Sequence, residues 1–107
     1  MIVTTSSTIA GKRIAKTHGI VQGNTVRARH IGKDIVAVFK NILGGEIEEY
    51  TKLLAESREQ SIDRMIARAV ELGANAIVDV RFSTSYIMAN AAEILVYGTA
   101  VSVEEEK

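Results

Sequence analysis

The chain has 107 residues, of which 47% are apolar, and its 13 basic and 13 acidic side chains give a formal net charge of zero. This size and composition predict one globular domain and exclude a disordered chain. A neutral chain has no overall field to attract nucleic acid or an anionic membrane. Cysteine is absent, which excludes disulfides and thiolate metal sites. No signal peptide or membrane-spanning run is present, so we expect a cytoplasmic protein.

The first quarter of the chain has β-type signals. Residues 2–5 predict a short strand, and residues 13–28 predict a longer β segment. Within it, Gly19 is expected to mark a bulge or a close backbone approach. Residues 22–25, with the sequence QGNT, predict either a tight turn or a second bend.

A short helix is predicted next. Apolar residues recur at three- and four-residue spacing from Ile31 to Ile42, which indicates a helix that begins near His30. Gly44 and Gly45 are expected to end it, because glycine takes the left-handed conformation of a helix C-terminus without steric strain.

A long helix is predicted over residues 47–72, with Gly73 as its stop. Three glutamates crowd its start, where a carboxylate is stabilised by the helix dipole by about 0.3–1 kcal/mol. Arg58 interrupts the apolar stripe, and a guanidinium on a packed face needs a carboxylate or carbonyl partner. The glutamates are Glu46, Glu48 and Glu49, and the stripe consists of Ile47, Tyr50, Leu54, Ile62, Met65, Ala69 and Leu72.

Two strands close the chain, over residues 74–86 and 93–103, and the final EEEK is expected to be a disordered, solvated tail. The last strand is apolar on both faces, so a chain this small needs a second layer of protein to cover it. Helices can cover one face, and we expect the other to contact a neighbouring subunit. In the strand over residues 74–86, one predicted face consists of Ala76, Val78, Val80 and Phe82, and the other of Asp79, Arg81 and Ser83. In the strand over residues 93–103, one predicted face consists of Leu95, Tyr97 and Val101, and the other of Ile94, Val96 and Ala100.

The sequence contains no catalytic constellation. Its serines lie outside the strand–elbow–helix contexts that expose a nucleophile, and no glycine cluster matches a phosphate-binding loop. His18 and His30 are far apart and lack the close second histidine typical of zinc sites. We therefore predict no metal ligands and an ordinary hydrogen bond for each histidine. A site with oxygen ligands, or one assembled from several copies of one histidine, stays open.

The basic segment, which we define as Arg27, Arg29, His30 and Lys33, is the most suggestive chemical feature. It lies near a predicted helix N-terminus, where backbone N–H groups favour anions. It therefore predicts a small anion-binding patch. The alternative is a solvated strand edge that stays polar to prevent aggregation.

Seven motifs occur in order along nearly the whole chain: TTS, GIVQGN, GKDI, NILGGEIEEY, SREQ, LGANAIVDVRF and YGTAV. With them the chain resembles the YbjQ-like family of small bacterial and archaeal proteins. The resemblance implies a compact α+β fold assembled as a ring-like homo-oligomer, a pentamer, and brings a heavy-metal-binding label without an enzymatic activity. The positions that match the family pattern are Asp34, Gly44, Gly45, Tyr50, Leu54, Arg58, Gly73, Gly98 and Thr99.

Arg58, Tyr50 and Asp79 are expected to be structural or interface residues, and Arg58 to form a partly buried ion pair within a subunit or across an interface. Its candidate partners are Glu46, Glu49, Asp79 and Glu93. Truncating one member of a buried pair costs about 3–5 kcal/mol.

These observations predict a single α+β domain over residues 1–107, in which a short and a long helix pack on a small antiparallel-rich sheet. The favoured function is a non-enzymatic homo-oligomer that binds a small anion, ligand or metal ion, with the cofactor left open. One alternative is an enzyme with an intersubunit active site, using His30 or the segment from Glu46 to Tyr50. Another is a structural assembly that displays a surface to other proteins.

Overall fold

The computed structural model describes residues 1–28, 47–88 and 91–106, and only the backbone of 27–28, 47–53, 86–88 and 91. These residues form one mixed sheet of four strands in the order β1-β3-β4-β2, with one helix packed on it. The pairing of β1 with β3 is parallel, and the other two pairings are antiparallel. The elements are β1 (Ile2–Val3), β2 (Lys12–Ala28), α1 (Ile47–Glu71), β3 (Ala76–Met88) and β4 (Ala91–Glu105).

The predicted α+β class is therefore confirmed, but the described residues contain one helix where two were predicted. The long helix agrees with prediction almost to the residue. The short one, predicted between Ile31 and Ile42, lies outside the described residues, as do Gly44 and Gly45.

Strand β2 continues through the position where a turn or bend was predicted. Its residues pair with β4 from Lys12 to Ala28, and Gly23 lies opposite Val96 within that ladder. The prediction of a turn or bend at residues 22–25 was wrong. Gly23 allows the helix to pack closely against the strand, and the chain does not reverse direction there. The irregularity expected at Gly19 is present, since the register shifts just before it and its φ is 119°.

A hydrogen-bonded glycine motif ends α1. Gly73 has a φ of 83°, its N–H donates to the Val70 carbonyl, and the N–H of Ala74 donates to the Ala69 carbonyl. This pair of bonds is a Schellman motif, which satisfies carbonyls at the helix end that have no partner within the helix.

The buried face of α1 differs from the predicted stripe. Ser57 and Ser61 are fully buried beside Met65 and Ala69, whereas Leu72 is exposed. The reason is the short distance between helix and sheet at Gly23. A Cβ atom there would lie 2.0 Å from the Ser61 carbonyl oxygen and 2.6 Å from the Met65 nitrogen. Small side chains fit such a narrow space, and large ones do not.

Each face of the sheet has its own apolar core. The core under α1 contains Val21, Met65, Ala69, Ala74, Ile77, Val80, Val96 and Ala100. The core on the opposite face contains Ala76, Val78, Val101 and Val103, with Ile9 packed against it. Both faces of β4 are apolar as predicted. However, Ile9, from the segment between β1 and β2, covers part of the second face, so that part needs no other subunit.

A bulge in β3 reverses the side-chain alternation that the sequence suggested. Asp79 and Val80 together lie opposite Gly98, and Asp79 has a φ of 55°. The extra residue places Val80 in the core under α1, whereas Ala76 and Val78 belong to the opposite core. The prediction that these three residues share a face was wrong, because an inserted residue changes the parity of every position after it.

Strand β4 extends two residues beyond its predicted end. Glu104 and Glu105 belong to the strand and form ion pairs with Arg13 and Lys12 across the ladder to β2. The predicted disordered tail is therefore wrong for Glu104 and Glu105, because cross-strand pairs of opposite charge stabilise the end of the ladder.

We expect Gly23→Ala to destabilise the protein by about 1–3 kcal/mol or more, because the added methyl group overlaps backbone atoms of α1. Urea unfolding followed by circular dichroism measures the change. Gln22→Ala, at the exposed neighbouring position, is the control and should unfold close to wild type. An unchanged midpoint for Gly23→Ala would contradict the close approach.

Candidate functional site

The basic segment lies largely beyond the described residues. Arg27 is in β2 opposite Ala92, and its backbone is described. Arg29, His30 and Lys33 fall within residues 29–46, which the structure does not describe. The anion patch therefore stays a prediction.

His18 makes an ordinary hydrogen bond in the bulged part of β2. Its Nε2 and the Ser102 Oγ are 2.7 Å apart, across the ladder to β4. Ser102 also reaches the Gly73 carbonyl oxygen at 3.5 Å. The described residues contain no group of three or more His, Cys, Asp or Glu side chains that could hold a metal ion. One described ring nitrogen bonded to a hydroxyl is insufficient to define a metal site.

Arg58 is exposed on α1 and has no ion pair with a described residue. The interior pairing proposed from sequence is therefore wrong for Asp79 and Glu93. The helix buries Ser57 and not its neighbour Arg58, because the packed face follows four-residue spacing through Ser61 and Met65. An ion pair of Arg58 across a subunit interface stays a prediction. The side chain of Tyr50 is outside the described set.

Asp79 is fixed by the chain segment that follows β1. Its N–H donates to the Ser6 carbonyl at 3.0 Å, and its carboxylate accepts a hydrogen bond from Ser7 Oγ at 3.0 Å. The next N–H, of Val80, donates to the Thr4 carbonyl, and Arg81 donates to the Thr5 carbonyl at 2.9 Å. The bulge is thus a structural junction where polar groups already have partners.

A buried hydroxyl cluster lies between α1 and the sheet. Ser61 Oγ and Thr25 Oγ1 are 2.8 Å apart. The single Ser61 hydroxyl proton has two carbonyl acceptors within reach, those of Ser57 at 2.9 Å and Ile94 at 3.1 Å from Oγ. No buried side-chain polar atom among the described residues lacks a partner. This cluster is satisfied internally and offers nothing to a ligand.

A groove of about 410 Å³ lies between the last turns of α1 and the edge strand β2. We call it the C-terminal groove. On the helix side it presents Arg68, Glu71 and Leu72; on the strand side Val21 faces the helix, and the side chains of its neighbours Ile20 and Gln22 alternate to the other face of the sheet. Its lining residues are Ile20, Val21, Gln22, Arg68, Glu71 and Leu72.

The sequence did not predict this groove. Arg68 and Leu72 share a helix face, being four residues apart, and Glu71 lies beside them. That periodicity was available from the sequence. The position of this part of β2 beside them was not, because it depends on how α1 lies across β2.

The described part of the chain contains no helix long and apolar enough to cross a membrane. The fold defines a small α+β protein, in which one helix among the described residues packs on a four-stranded sheet. The chain belongs to the YbjQ family, described as "Putative heavy-metal-binding", whose profile matches residues 1–104.

Relatives of similar length occur in bacteria and archaea. The chain is 59% identical to a UPF0145 protein of Dehalococcoides mccartyi, over 97% of this chain and all of that protein. It is 53% identical to a UPF0145 protein of Methanosarcina acetivorans, over 96% of this chain and 97% of that protein.

One solved structure supports the fold alone. A DUF74-family protein of unknown function from Pediococcus pentosaceus superimposes with a TM-score of 0.68. The match covers 97% of this chain and 98% of that chain, at 14% sequence identity.

We expect Asp79→Gly to be more stable than Asp79→Ala by about 1 kcal/mol. Both variants remove the carboxylate, but glycine adopts a positive φ without the steric penalty that alanine incurs. Thermal unfolding measures the difference. At Ser83, in the regular part of β3, the same two substitutions serve as control and should show the opposite order. Equal thermal stability of Asp79→Ala and Asp79→Gly would argue against the bulge.

Proposed function

We propose that the protein is a non-enzymatic, ring-like homo-oligomer, a pentamer, which acts in the cytoplasm and binds a small ligand or ion. The observation that supports it best is the exposure of large apolar side chains on the sheet. Ile20 is 81% exposed, Val26 51% and Phe82 49%. Exposed apolar surface of this kind favours contact with another protein surface.

The two edges of the sheet support a ring. Strand β2 is the last strand on one side, and β3 beyond Val80 pairs only with β4 among the described strands. Free strand edges present unpaired N–H and C=O groups that another strand can bond. Because the two edges differ in sequence, a contact between one edge and the other would be head-to-tail, and head-to-tail contacts form a ring when the rotation between subunits closes.

The family description supports the ion-binding part, and the basic segment supplies the proposed site. In a ring, copies of Arg27, Arg29, His30 and Lys33 recur once in each subunit, so their positive charges act together on one anion. The exposure of Arg58 fits a pair with a carboxylate of the neighbouring subunit. Binding without chemistry is favoured because the sequence contains no recognisable set of catalytic residues.

We expect Phe82→Asp to shift the mass in native mass spectrometry from the ring to the monomer. Phe82 is half exposed, so the protomer should stay folded by circular dichroism while a charge replaces an apolar contact. Ala67→Asp, at an exposed position on α1, is the control and should keep the ring. A wild-type protein that is monomeric at micromolar concentration would refute the assembly. A ring without any retained molecule would favour the structural assembly over a binding protein.

We expect His18→Ala to leave the metal content of the purified protein unchanged, because the described hydrogen bond of His18 is to Ser102. Elemental analysis of wild type, His18→Ala and His30→Ala measures this. Metal that is retained by wild type and lost in His30→Ala would assign the ion to the basic segment. Metal lost in His18→Ala would contradict the prediction that His18 is not a metal ligand.

A further inference from the structure

The outer edge of β2 carries backbone groups that no described strand pairs with. On β4 the Val101 carbonyl accepts the Asn75 N–H from the β3 side, and the extra residues of the bulges lie on β2 and β3, not on β4. The odd-numbered residues of β4 therefore bond β3, and the even-numbered ones bond β2. Gly23, opposite Val96, bonds β4, so the next residue, Asn24, directs its N–H and C=O groups outward.

Arg64 of α1 occupies this outer edge. Its Nη1 donates to the Asn24 carbonyl oxygen at 2.5 Å. Gly23 lets the helix lie close enough for this bond, since a Cβ at position 23 would be 3.1 Å from the Arg64 Cβ. A strand added to the edge would need its own N–H group about 2.9 Å from the same oxygen. The guanidinium group and an added strand therefore exclude each other at Asn24.

The edge that complements β2 is the outer edge of β3. Arg81 lies opposite Tyr97 and bonds β4, so Phe82 directs its backbone groups outward, as does Thr84 two positions later. Residues 82–88 carry no charge, and no described strand pairs with this side of them. An uncharged, uncovered strand edge accepts another strand readily.

We infer that Arg64 controls the addition of a second copy of the chain to the β2 edge. The entering segment is the β3 edge of that copy, at Phe82 and Thr84. It displaces the guanidinium group from the Asn24 carbonyl, so Arg64 raises the concentration at which copies associate. This inference rests on the ring proposed above and names the backbone contact that closes it.

The test is native mass spectrometry of wild type and Arg64→Ala over a dilution series, with circular dichroism to confirm the fold. Arg64→Ala should assemble at a concentration about tenfold or more below that of wild type, because strand addition no longer breaks a hydrogen bond to a charged group. Arg68→Ala is the matched control. It removes the same charge one turn later on α1, from an arginine without a hydrogen bond to β2 in the described structure, and should assemble as wild type does. Assembly of Arg64→Ala only at the wild-type concentration or above would overturn the inference.

Amide hydrogen exchange identifies the edge that pairs. In assembled Arg64→Ala, the N–H groups of Gln22 and Asn24 should exchange about tenfold or more slowly than in the dissociated protein, because an added strand bonds them. Gly23 and Thr25 bond β4 in both states, so they are the internal control and should change little. Equal exchange of Gln22 and Asn24 in the two states would overturn the inference.

The dilution series separates this inference from the proposed ring. A wild-type ring whose concentration dependence is the same in Arg64→Ala overturns the role of Arg64 alone. A monomeric wild type together with an oligomeric Arg64→Ala overturns the wild-type ring alone and supports the role of Arg64. If both proteins are monomeric, both proposals are overturned.

Discussion

The close approach of α1 to β2 at Gly23 is the constraint on which the arrangement of the described residues depends. The helix backbone lies where a β-carbon at position 23 would be, so the absence of a side chain sets the distance between helix and strand. At that distance the helix face must be built from small residues, and Ser57 and Ser61 occupy it. Serine brings a hydroxyl into an apolar core, which is costly unless the hydroxyl is bonded. Here the hydroxyl of Ser61 has Thr25 and two carbonyls as partners. The glycine, the serines and the threonine therefore form one packing unit.

The features that local rules decide were predictable from the sequence. The end of α1 follows from Gly73, because a glycine after a long helical pattern favours a left-handed terminus. The two apolar faces of β4 follow from simple alternation. The continuation of β2 through Gly23 was not predictable in this way. A Gly-Asn pair between β-type residues is typical of a hairpin turn, and only the tertiary position of the helix explains the glycine differently.

The candidate site was less predictable than the fold. Arg58 interrupts a plausible stripe at Leu54 and Ile62, which suggested a buried charge. The helix instead uses the neighbouring row that starts at Ser57, a row that hydrophobicity alone does not reveal because half of it is polar. The C-terminal groove depends on residues separated by almost fifty positions in the chain. No periodicity relates Ile20 to Arg68, so sequence patterns could not bring them together.

The bulge at Asp79 links the core to the surface proposed for assembly. In a regular strand, Asp79 and Arg81 would share the helix-facing side with Ile77, and burying their charges without partners would be costly. The inserted residue instead brings Val80 to the helix side and turns Arg81 to the opposite face, where it bonds the Thr5 carbonyl. The same change of parity places Phe82 opposite Val96 on the helix side, yet half exposed. The irregularity that keeps charges out of the core thus also exposes an aromatic side chain next to an edge of β3 that no other described strand pairs with. A substitution that removed the bulge would therefore disturb the core and the proposed interface together.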